Sequence, residues 1–402
     1  MGRISTGGRR GTKPISVGRE RLVIESNDPS VVQRFDDLFS GLPGDPVAPL
    51  ISVTVDAVRD DQLGGRVHDW VYQTSVGDAV EVIDPDLRVH ELWMTRFVNR
   101  RKLETEPDLL HLHSAAVARG NRAVLLVGRS GGGKSTLAAG LVRNGWDYVT
   151  DEQVTIVPRD LILRSYARPL TLRSEVWPQF RELPSVASVL RMNEAPERHL
   201  RVEVPPSEIG AVSAIAGLRS VVVFEPRRAS GSPARSSAVA DVAEALQMLA
   251  GTCYDSDRLG RSGIAALVEI ACECPAWRLE YDGLDDASAE VERLFDQSTN
   301  HRRISARLVD PVRGIRPLRR DYVVRAPGAC AWEFGDGSAV AVDPLGRRLA
   351  RLDVAGLALW ELLGEPVSLN ELTSFANDAA AEAGVVAWVR SLEGSGFLRT
   401  AD

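Results

Sequence analysis

The sequence predicts a mixed α/β fold in three parts: a small α+β unit, a central α/β core and a C-terminal winged-helix-like unit. The core is predicted from residues 123–136, where a short apolar run, a glycine-rich turn and a helical pattern follow one another. In residues 19–108, alternating apolar residues predict strands, and two stretches of helical periodicity predict helices. Residues 321–402 contain three strand patterns followed by three helical patterns.

We place domain boundaries where composition and periodicity change. The first residues are basic and glycine-rich without an apolar segment, which is typical of a disordered tail rather than a secretory signal. Residues 298–320 are rich in arginine, with proline and glycine between, which favours a solvated linker over a docking strip for an acidic peptide. The predicted parts are a tail over 1–18, an α+β domain over 19–108, an α/β domain over 109–297, a basic linker over 298–320 and a C-terminal domain over 321–402.

The composition excludes several classes of protein. The 402 residues are 44% hydrophobic and 26% charged, which is ordinary for a globular protein. The net charge of −7 argues against a nucleic-acid partner for the whole chain. The four cysteines show no C-x-x-C spacing, which favours reduced thiols over a metal site. Because no apolar run approaches 18 residues, we expect a cytoplasmic protein without a membrane partner.

A glycine-rich loop carries the clearest chemistry in the chain. Gly128, Gly133, Lys134 and Ser135 stand at the G-x-x-x-x-G-K-[ST] spacing of a phosphate-binding loop. Glycines let backbone amides approach a polyphosphate, lysine reaches the outer phosphates, and the serine hydroxyl is a ligand for Mg²⁺. The predicted ATP-binding residues are Gly128, Ser130, Gly131, Gly132, Gly133, Lys134, Ser135 and Thr136.

An acidic pair follows this loop. Asp151 and Glu152 lie 17 and 18 residues after Lys134, between two predicted strands within residues 148–157. Carboxylates at a strand end beside a phosphate loop can bind Mg²⁺ or accept the proton of an attacking hydroxyl. On the other side of the loop, His113 falls in a strand predicted over 111–118.

The spacing of His113, the loop and the Asp151–Glu152 pair resembles that of the HPr kinase/phosphorylase family and its kinase relatives. The resemblance implies a P-loop kinase core over 109–297, related to phosphoenolpyruvate carboxykinase, that transfers phosphate from ATP to a serine with Mg²⁺. It implies that Lys134 and Ser135 hold phosphate and metal, and that the acidic pair supplies base and metal ligand. The predicted catalytic residues are His113, Lys134, Asp151 and Glu152, and the predicted Mg²⁺ ligands are Ser135 and Asp151.

Two departures narrow the resemblance. The second acidic residue is typically Asp in HPr kinases and is Glu152 here, so which carboxylate is the base stays open. The E-I-R-G-L-G motif of that family is missing, and residues 167–173 read A-R-P-L-T-L-R instead. Either Arg168 or Arg173 is then a candidate for stabilising the transferred phosphoryl group. These departures favour the related kinases that accompany peptide natural-product genes.

The C-terminal unit carries four short motifs: Trp332-Glu333, Val342-Asp-Pro344, G-x-x-x-W-x-L-L-G over 356–364 and L-x-x-x-G-F-L over 392–398. In these motifs the unit resembles the PqqD family. Members bind the leader of a ribosomally made precursor peptide as an added strand beside the third strand and third helix, by β-augmentation. The third helix lacks a basic cluster, which argues against DNA binding. The implied peptide-binding residues are Ser338, Ala339, Val340, Ala341, Val342, Val385, Trp388 and Val389.

Together, the two resemblances predict an ATP-dependent kinase that binds a leader through its PqqD-like domain and phosphorylates a Ser or Thr of the same peptide. Tethering the peptide raises the effective concentration of a weakly held acceptor. The alternative is a non-catalytic nucleotide-binding adaptor that delivers the precursor to another maturation enzyme. HPr kinase relatives are commonly oligomeric, so a homo-oligomer and contacts with other maturation enzymes stay open.

Overall fold

A computed structural model describes residues 10–42, 47–59, 70–158, 160, 162–192, 200–213, 220–229, 231, 233–254, 256–309 and 321–400. Over these ranges the chain is a mixed α/β protein with several sheets, as the sequence predicts. None of the helices in these ranges combines the length and the apolar character that a membrane span requires.

The N-terminal unit is one sheet with two helices: β1 (Arg10–Gly11), β2 (Ile15–Val17), β3 (Glu20–Ser26), α1 (Pro29–Leu38), β4 (Leu50–Arg59), β5 (Trp70–Val76), β6 (Ala79–Asp84) and α2 (Leu87–Thr105). The strand order is β1-β3-β4-β5-β6, with β2 also paired to β3. Asp28 and Asp86 cap α1 and α2 by accepting from the Ser30 and Arg88 amides. These caps explain where the two predicted helices begin.

The predicted disordered tail is wrong for residues 10–18. Strand β2 pairs antiparallel with β3, and Ile15 and Val17 are buried in the core of the N-terminal unit. Ile15 and Val17 are separated by one residue, so their side chains point to the same face of the strand. The sheet can therefore hold this short segment despite its basic, glycine-rich surroundings. The rest of the predicted tail lies outside the described residues.

The central unit contains strands β7 (Leu110–His113), β8 (Ala115–Arg119), β9 (Arg122–Leu126), β10 (Asp147–Thr150), β11 (Gln153–Val157), β12 (Ile162–Arg164), β13 (Leu170–Arg173), β14 (Arg201–Val204), β15 (Ser220–Arg228), β16 (Arg235–Ala238) and β17 (Ala276–Tyr281). Its helices are α3 (Lys134–Arg143), α4 (Pro184–Met192), α5 (Pro206–Ile209), α6 (Val242–Ala250), α7 (Ser256–Glu273), α8 (Leu284–Gln297) and 3₁₀ turns at Ser174–Phe180 and Ser298–Asn300.

The main sheet has the order β10-β8-β9-β15-β17-β16, and β9, β15 and β17 run parallel. The predicted strand, glycine turn and helix of residues 123–136 are confirmed by β9 and α3. Strand β9 is buried from Ala123 onward, which explains its uninterrupted apolar sequence.

The single strand predicted over 111–118 is wrong, because the chain crosses between two sheets at Ser114. Strand β7 belongs to a small sheet with the order β12-β11-β7, whereas β8 belongs to the main sheet. The segment that pairs with β7 and β8 makes the same crossing at Asp151–Glu152. There β10 ends in the main sheet and β11 begins in the small one. The Ser114 amide donates to the Glu152 carbonyl at 3.1 Å, so the two crossings lie side by side.

The C-terminal unit contains β18 (Ala306–Val309), β19 (Tyr322–Arg325), β20 (Cys330–Phe334), β21 (Ala339–Val342), β22 (Leu349–Leu352), α9 (Val354–Leu362), β23 (Val367–Ser368), α10 (Leu369–Thr373), α11 (Ala379–Gly394) and β24 (Leu398–Thr400). They form two sheets, β18-β20-β21-β22 and β23-β19-β24, so β19 and β20 lie in different sheets. Strand β18 lies in the predicted linker, where Arg307 pairs with Glu333 and Glu361. The linker prediction is wrong for residues 306–309, because β18 pairs with the edge of β20. The rest of the predicted linker, residues 310–320, lies outside the described ranges.

The C-terminal unit shares a hydrophobic core with the central unit. One face of the β18–β22 sheet, including Val340 and Val342, packs in a single cluster with α6 and α7 residues such as Leu246. The turn before β21 also caps α6, because Asp336 and Ser338 side chains accept from the amides of Val242 and Ala243 at 2.8 and 3.2 Å. The unit is therefore fixed on the core by packing and by hydrogen bonds.

The structure contradicts the predicted peptide edge at Ser338–Val342. Strand β21 pairs with β20 on one side and with β22 on the other, and residues 339–342 are 0% exposed. A strand with both edges paired and both faces buried cannot accept an added strand. The sequence prediction missed β22, which is the edge strand of this sheet on the α9 side. Val389 is also a core residue rather than a surface one.

Candidate active site

A cavity of about 300 Å³ opens where β9 and β10 end. It brings the predicted loop, the acidic pair and the histidine to one place, although they come from three separate segments. Gly128 and Gly132 complete the same loop. The predicted site residues that line the cavity are His113, Ser130, Gly131, Gly133, Lys134, Ser135, Thr136, Asp151 and Glu152.

The glycine-rich loop has a backbone suited to binding an oxyanion. Gly131 and Gly133 have φ angles of 83° and 98°, which side-chain-bearing residues rarely adopt. Gly133 is the N-cap of α3 and, in the described chain, no side chain caps this helix. The first amides of α3 are therefore available to a phosphate, and the helix end adds partial positive charge.

Lys134 is held at the base of this loop. Its Nζ donates to the carbonyl oxygens of Gly128 at 2.8 Å and Arg129 at 3.1 Å. Burial lowers the pKa of Lys134, and the nearby Glu152 and Asp151 carboxylates oppose that shift. The ammonium group thus lies between the loop and the acidic pair.

The two carboxylates differ in their surroundings. Asp151 is 2% exposed and accepts from the Thr171 amide at 3.1 Å, whereas the Glu152 side chain is 39% exposed. Burial raises the pKa of Asp151 even though Arg168 opposes it, while Arg168 lowers the pKa of Glu152. Glu152 is therefore the more accessible carboxylate of the pair and is ionised at neutral pH.

Arg168 holds the acidic pair in place. Its Nη2 lies 2.6 Å from Asp151 Oδ1 and 2.8 Å from Glu152 Oε2, and the residue is 0% exposed. A buried guanidinium that pairs with two carboxylates holds those carboxylates in position. It is therefore not available to contact a phosphoryl group. Of the two arginines that the sequence left open, Arg173 is the one with a half-buried side chain on the cavity wall.

His113 lies opposite this pair because β7 and β11 are in register at His113 and Gln153. Its amide donates to the Thr252 carbonyl at 2.6 Å, and its ring contacts Tyr254 with a centroid distance of 5.5 Å. Burial, aided by Lys134, lowers the pKa of His113, while Glu152 opposes the shift. The imidazole is therefore neutral at pH 7 and can share a proton with a neighbouring group.

The sequence reasoning missed a contribution from the N-terminal unit. Asn99 on α2 has its Nδ2 3.5 Å from Glu152 Oε2, and the Tyr166 hydroxyl donates to Asn99 Oδ1 at 3.1 Å. Helix α2 therefore forms one wall beside Glu152. An asparagine within an ordinary helical pattern gives no local sign of this role, because only the packing of α2 on the core creates it.

A second buried carboxyl group lies behind the acidic pair. Glu203 on β14 accepts from the Thr171 hydroxyl at 2.8 Å, and the Thr171 amide donates to Asp151. Burial raises the pKa of Glu203 to about 7, although Arg168 opposes the shift. The charge state of Glu203 thus couples to the residue that positions Asp151.

We expect Glu203→Gln to flatten the pH dependence of stability. The pKa of Glu203 rises from 4.5 to about 7 on folding, so its stabilising proton is fully present below pH 4.5 and is lost as the pH rises to about 7. The wild type should lose on the order of 3 kcal/mol relative to the variant across this window. Urea unfolding of both proteins between about pH 5 and pH 7.5 measures the difference, and parallel curves would contradict it.

The donor set fits a nucleotide with Mg²⁺. Ser135 and Asp151 offer oxygen ligands on the cavity wall, and Mg²⁺ in phosphate sites usually takes one or two protein oxygens besides phosphate and water. Within the described ranges, no group of three or more His, Cys, Asp or Glu side chains is arranged to hold a metal by itself.

A second concave surface lies on the C-terminal unit between α9 and α11, and we call it the α9–α11 groove. Its volume is about 820 Å³, and its lining is largely apolar. Leu362 and Phe375 are 43% and 59% exposed, which is unusual for large apolar side chains. Two residues that the sequence assigned to peptide binding, Val385 and Trp388, line this groove.

No protein-family model matches the chain, and the search of curated proteins finds no match.

Proposed function

We propose that the chain is an ATP-dependent kinase that phosphorylates a Ser or Thr hydroxyl of a ribosomally made precursor peptide. The observation that carries this proposal is the meeting of Lys134, the uncapped start of α3 and the Asp151–Glu152 pair in one cavity. Phosphoryl transfer needs little beyond positioning and charge stabilisation, and this arrangement offers both. The likeness to HPr kinase relatives described above supports the same reaction.

The loop would bind the phosphates of ATP. Amides of the loop and of the first turn of α3 donate to the phosphate oxygens, and Lys134 exchanges its two carbonyl acceptors for the outer phosphates. Ser135 and Asp151 would hold Mg²⁺, which, when bound, neutralises the charge that develops on the phosphate oxygens.

Glu152 would activate the acceptor. Its accessible carboxylate orients the Ser or Thr hydroxyl and takes the proton as the new oxygen–phosphorus bond forms and the bond to the ADP oxygen breaks. Arg168 keeps Glu152 ionised and holds Asp151 in place. The negative charge of Glu152 also acts on the neutral His113. This assigns the base role, which the sequence left open, to Glu152.

The C-terminal unit would hold the leader of the peptide. In PqqD-like proteins the leader adds beside the third strand, which the sequence placed at Ser338–Val342. Because that strand is paired on both edges, the leader would instead lie beside β22 and α11. Among the described residues, β22 pairs only with β21, so its other edge is open for β-augmentation. The α9–α11 groove next to it supplies apolar pockets for side chains of the leader.

The purified protein, mixed with ATP, Mg²⁺ and a precursor peptide encoded beside its gene, should release ADP only when the peptide is present. Mass spectrometry should show one added phosphate on a Ser or Thr. Glu152→Gln should lower the transfer rate by about 10²–10⁴-fold, because the general base is lost, while ATP binding is retained. Glu104→Gln, at a surface glutamate paired with Arg100, is the matched control and should behave as wild type.

Three results would revise the proposal. ADP release that does not depend on the peptide, without a phosphopeptide, would overturn the kinase assignment. Transfer by Glu152→Gln at the wild-type rate would remove Glu152 from the base role. Tight peptide binding without any transfer would favour the adaptor.

A further inference from the structure

Two arginines face each other beside the cavity. In the β13–β14 ribbon, Arg173 lies directly opposite Arg201 in antiparallel register. The next pair on the same face is Thr171 and Glu203, which contact the acidic pair and its surroundings. Like charges directly across a ribbon repel each other and destabilise it. The arrangement therefore favours a bound anion that relieves the repulsion.

The described residues give neither arginine a carboxylate within ion-pair distance. Their neighbours behave differently, since Arg168 pairs with both site carboxylates and Arg34 pairs with Glu91 at 2.7 Å. The chain carries a net charge of −7, so two arginines directly opposite each other do not follow from its overall composition. Both side chains line the cavity, and Arg201 is exposed.

The pair extends from the phosphate loop to the acceptor side. The Nη1 of Arg173 lies 3.7 Å from the point where a Cβ on Gly131 would stand, so this guanidinium borders the loop. Arg201 lies near Glu152 and helps to lower its pKa. The nucleotide phosphates already have the loop amides and Lys134. If Glu152 takes the proton of the acceptor hydroxyl, Arg201, which lies near Glu152, would be on the acceptor side of the cavity.

We propose that Arg173 and Arg201 form a carboxylate-binding site for the acceptor peptide, so that the phosphorylated Ser or Thr is flanked by Asp or Glu. This inference rests on the proposed function and names the class of its substrate: an acidic peptide segment. Guanidinium groups bind carboxylates through paired, charge-assisted hydrogen bonds, which a neutral amide side chain cannot replace. The shared chemistry is that of an oxyanion, whose other source is the nucleotide, and the test separates the two.

The test uses two synthetic peptides with a single serine, identical except that Glu flanks the serine in one and Gln in the other. Fluorescence anisotropy measures their binding to the full chain in the presence of a non-hydrolysable ATP analogue and Mg²⁺. The Glu peptide should bind about tenfold more tightly than the Gln peptide, because a hydrogen-bonded charge pair is added. Arg201→Gln and Arg173→Gln should reduce this preference to about twofold or less, whereas the exposed Arg181→Gln, outside the cavity, should keep it.

Each contrary result is informative. Equal binding of the two peptides to the wild type would overturn the carboxylate site, whatever the activity. Variants that weaken only the ATP analogue, with the Glu preference intact, would assign the arginines to the nucleotide and overturn the acceptor role. A Glu preference that both variants lose, in a protein that transfers no phosphate, would sustain the site and refute the proposed function.

Discussion

Replacing Lys134 by alanine should reduce phosphate transfer by about a thousandfold, because the transition state loses a preorganised positive charge beside the transferred group. The fold should survive, since the ammonium is buried without a carboxylate at ion-pair distance in the described chain, and burial lowers its pKa. Truncation to alanine removes the free-energy cost of burying this ammonium group. Single-turnover transfer and ATP binding, measured on the same preparation, separate chemistry from nucleotide affinity.

Lys13→Ala provides the control for this variant, because Lys13 is an exposed lysine of the N-terminal unit. It should leave both measurements unchanged. A Lys134→Ala protein that is folded by circular dichroism and transfers phosphate at the wild-type rate would refute the role of the loop. Loss of transfer together with loss of the folded state would instead show that Lys134 is structural.

Arg168→Met should lower the free energy of unfolding by about 3–5 kcal/mol at pH 7. The change leaves the buried Asp151 and the neighbouring Glu152 without their shared cation, and an uncompensated interior charge is costly. The folded-state pKa of Asp151 should then rise further, so the variant loses stability as the pH rises and recovers part of it on acidification. Urea unfolding at neutral and mildly acidic pH measures both effects.

Arg303→Met is the matched control for this prediction. Arg303 also bridges two carboxylates, Glu269 and Glu273, but its side chain is 53% exposed and its partners are about 40% exposed. Solvent screening should hold its cost to about 1 kcal/mol or less. Similar losses for the two variants would show that Arg168 does not stabilise the acidic pair through burial.

Local patterns in the sequence were enough to place the elements that form the cavity. The loop between β9 and α3 and the break between β10 and β11 at Asp151–Glu152 both lie where periodicity and glycine content put them. Asp353 and Ser368 also cap the starts of α9 and α10, and both are residue types favoured at helix N-caps. These features are set by neighbouring residues, so a single sequence contains them.

Features that depend on pairing between distant segments were not accessible in the same way. The register that sets Arg173 against Arg201 joins residues separated by a 3₁₀ turn and α4. The burial of β21 depends on β22 and on α6, and Arg168 gains its partners only when the core closes. Nothing in a local stretch distinguishes an arginine that will be buried from one that will stay in solvent.

Under the proposed function, the shared core of the C-terminal and central units would limit which peptides are modified. Val340 and Val342 pack with α6, and α6 leads to the Thr252–Tyr254 segment that contacts His113. The groove and the cavity are thus held at a set separation. A peptide anchored in the α9–α11 groove can present a hydroxyl to Glu152 only if the chain between them has a suitable number of residues. The protein would then select its acceptor by the number of residues between the leader and the hydroxyl, as well as by the charge of the residues beside that hydroxyl.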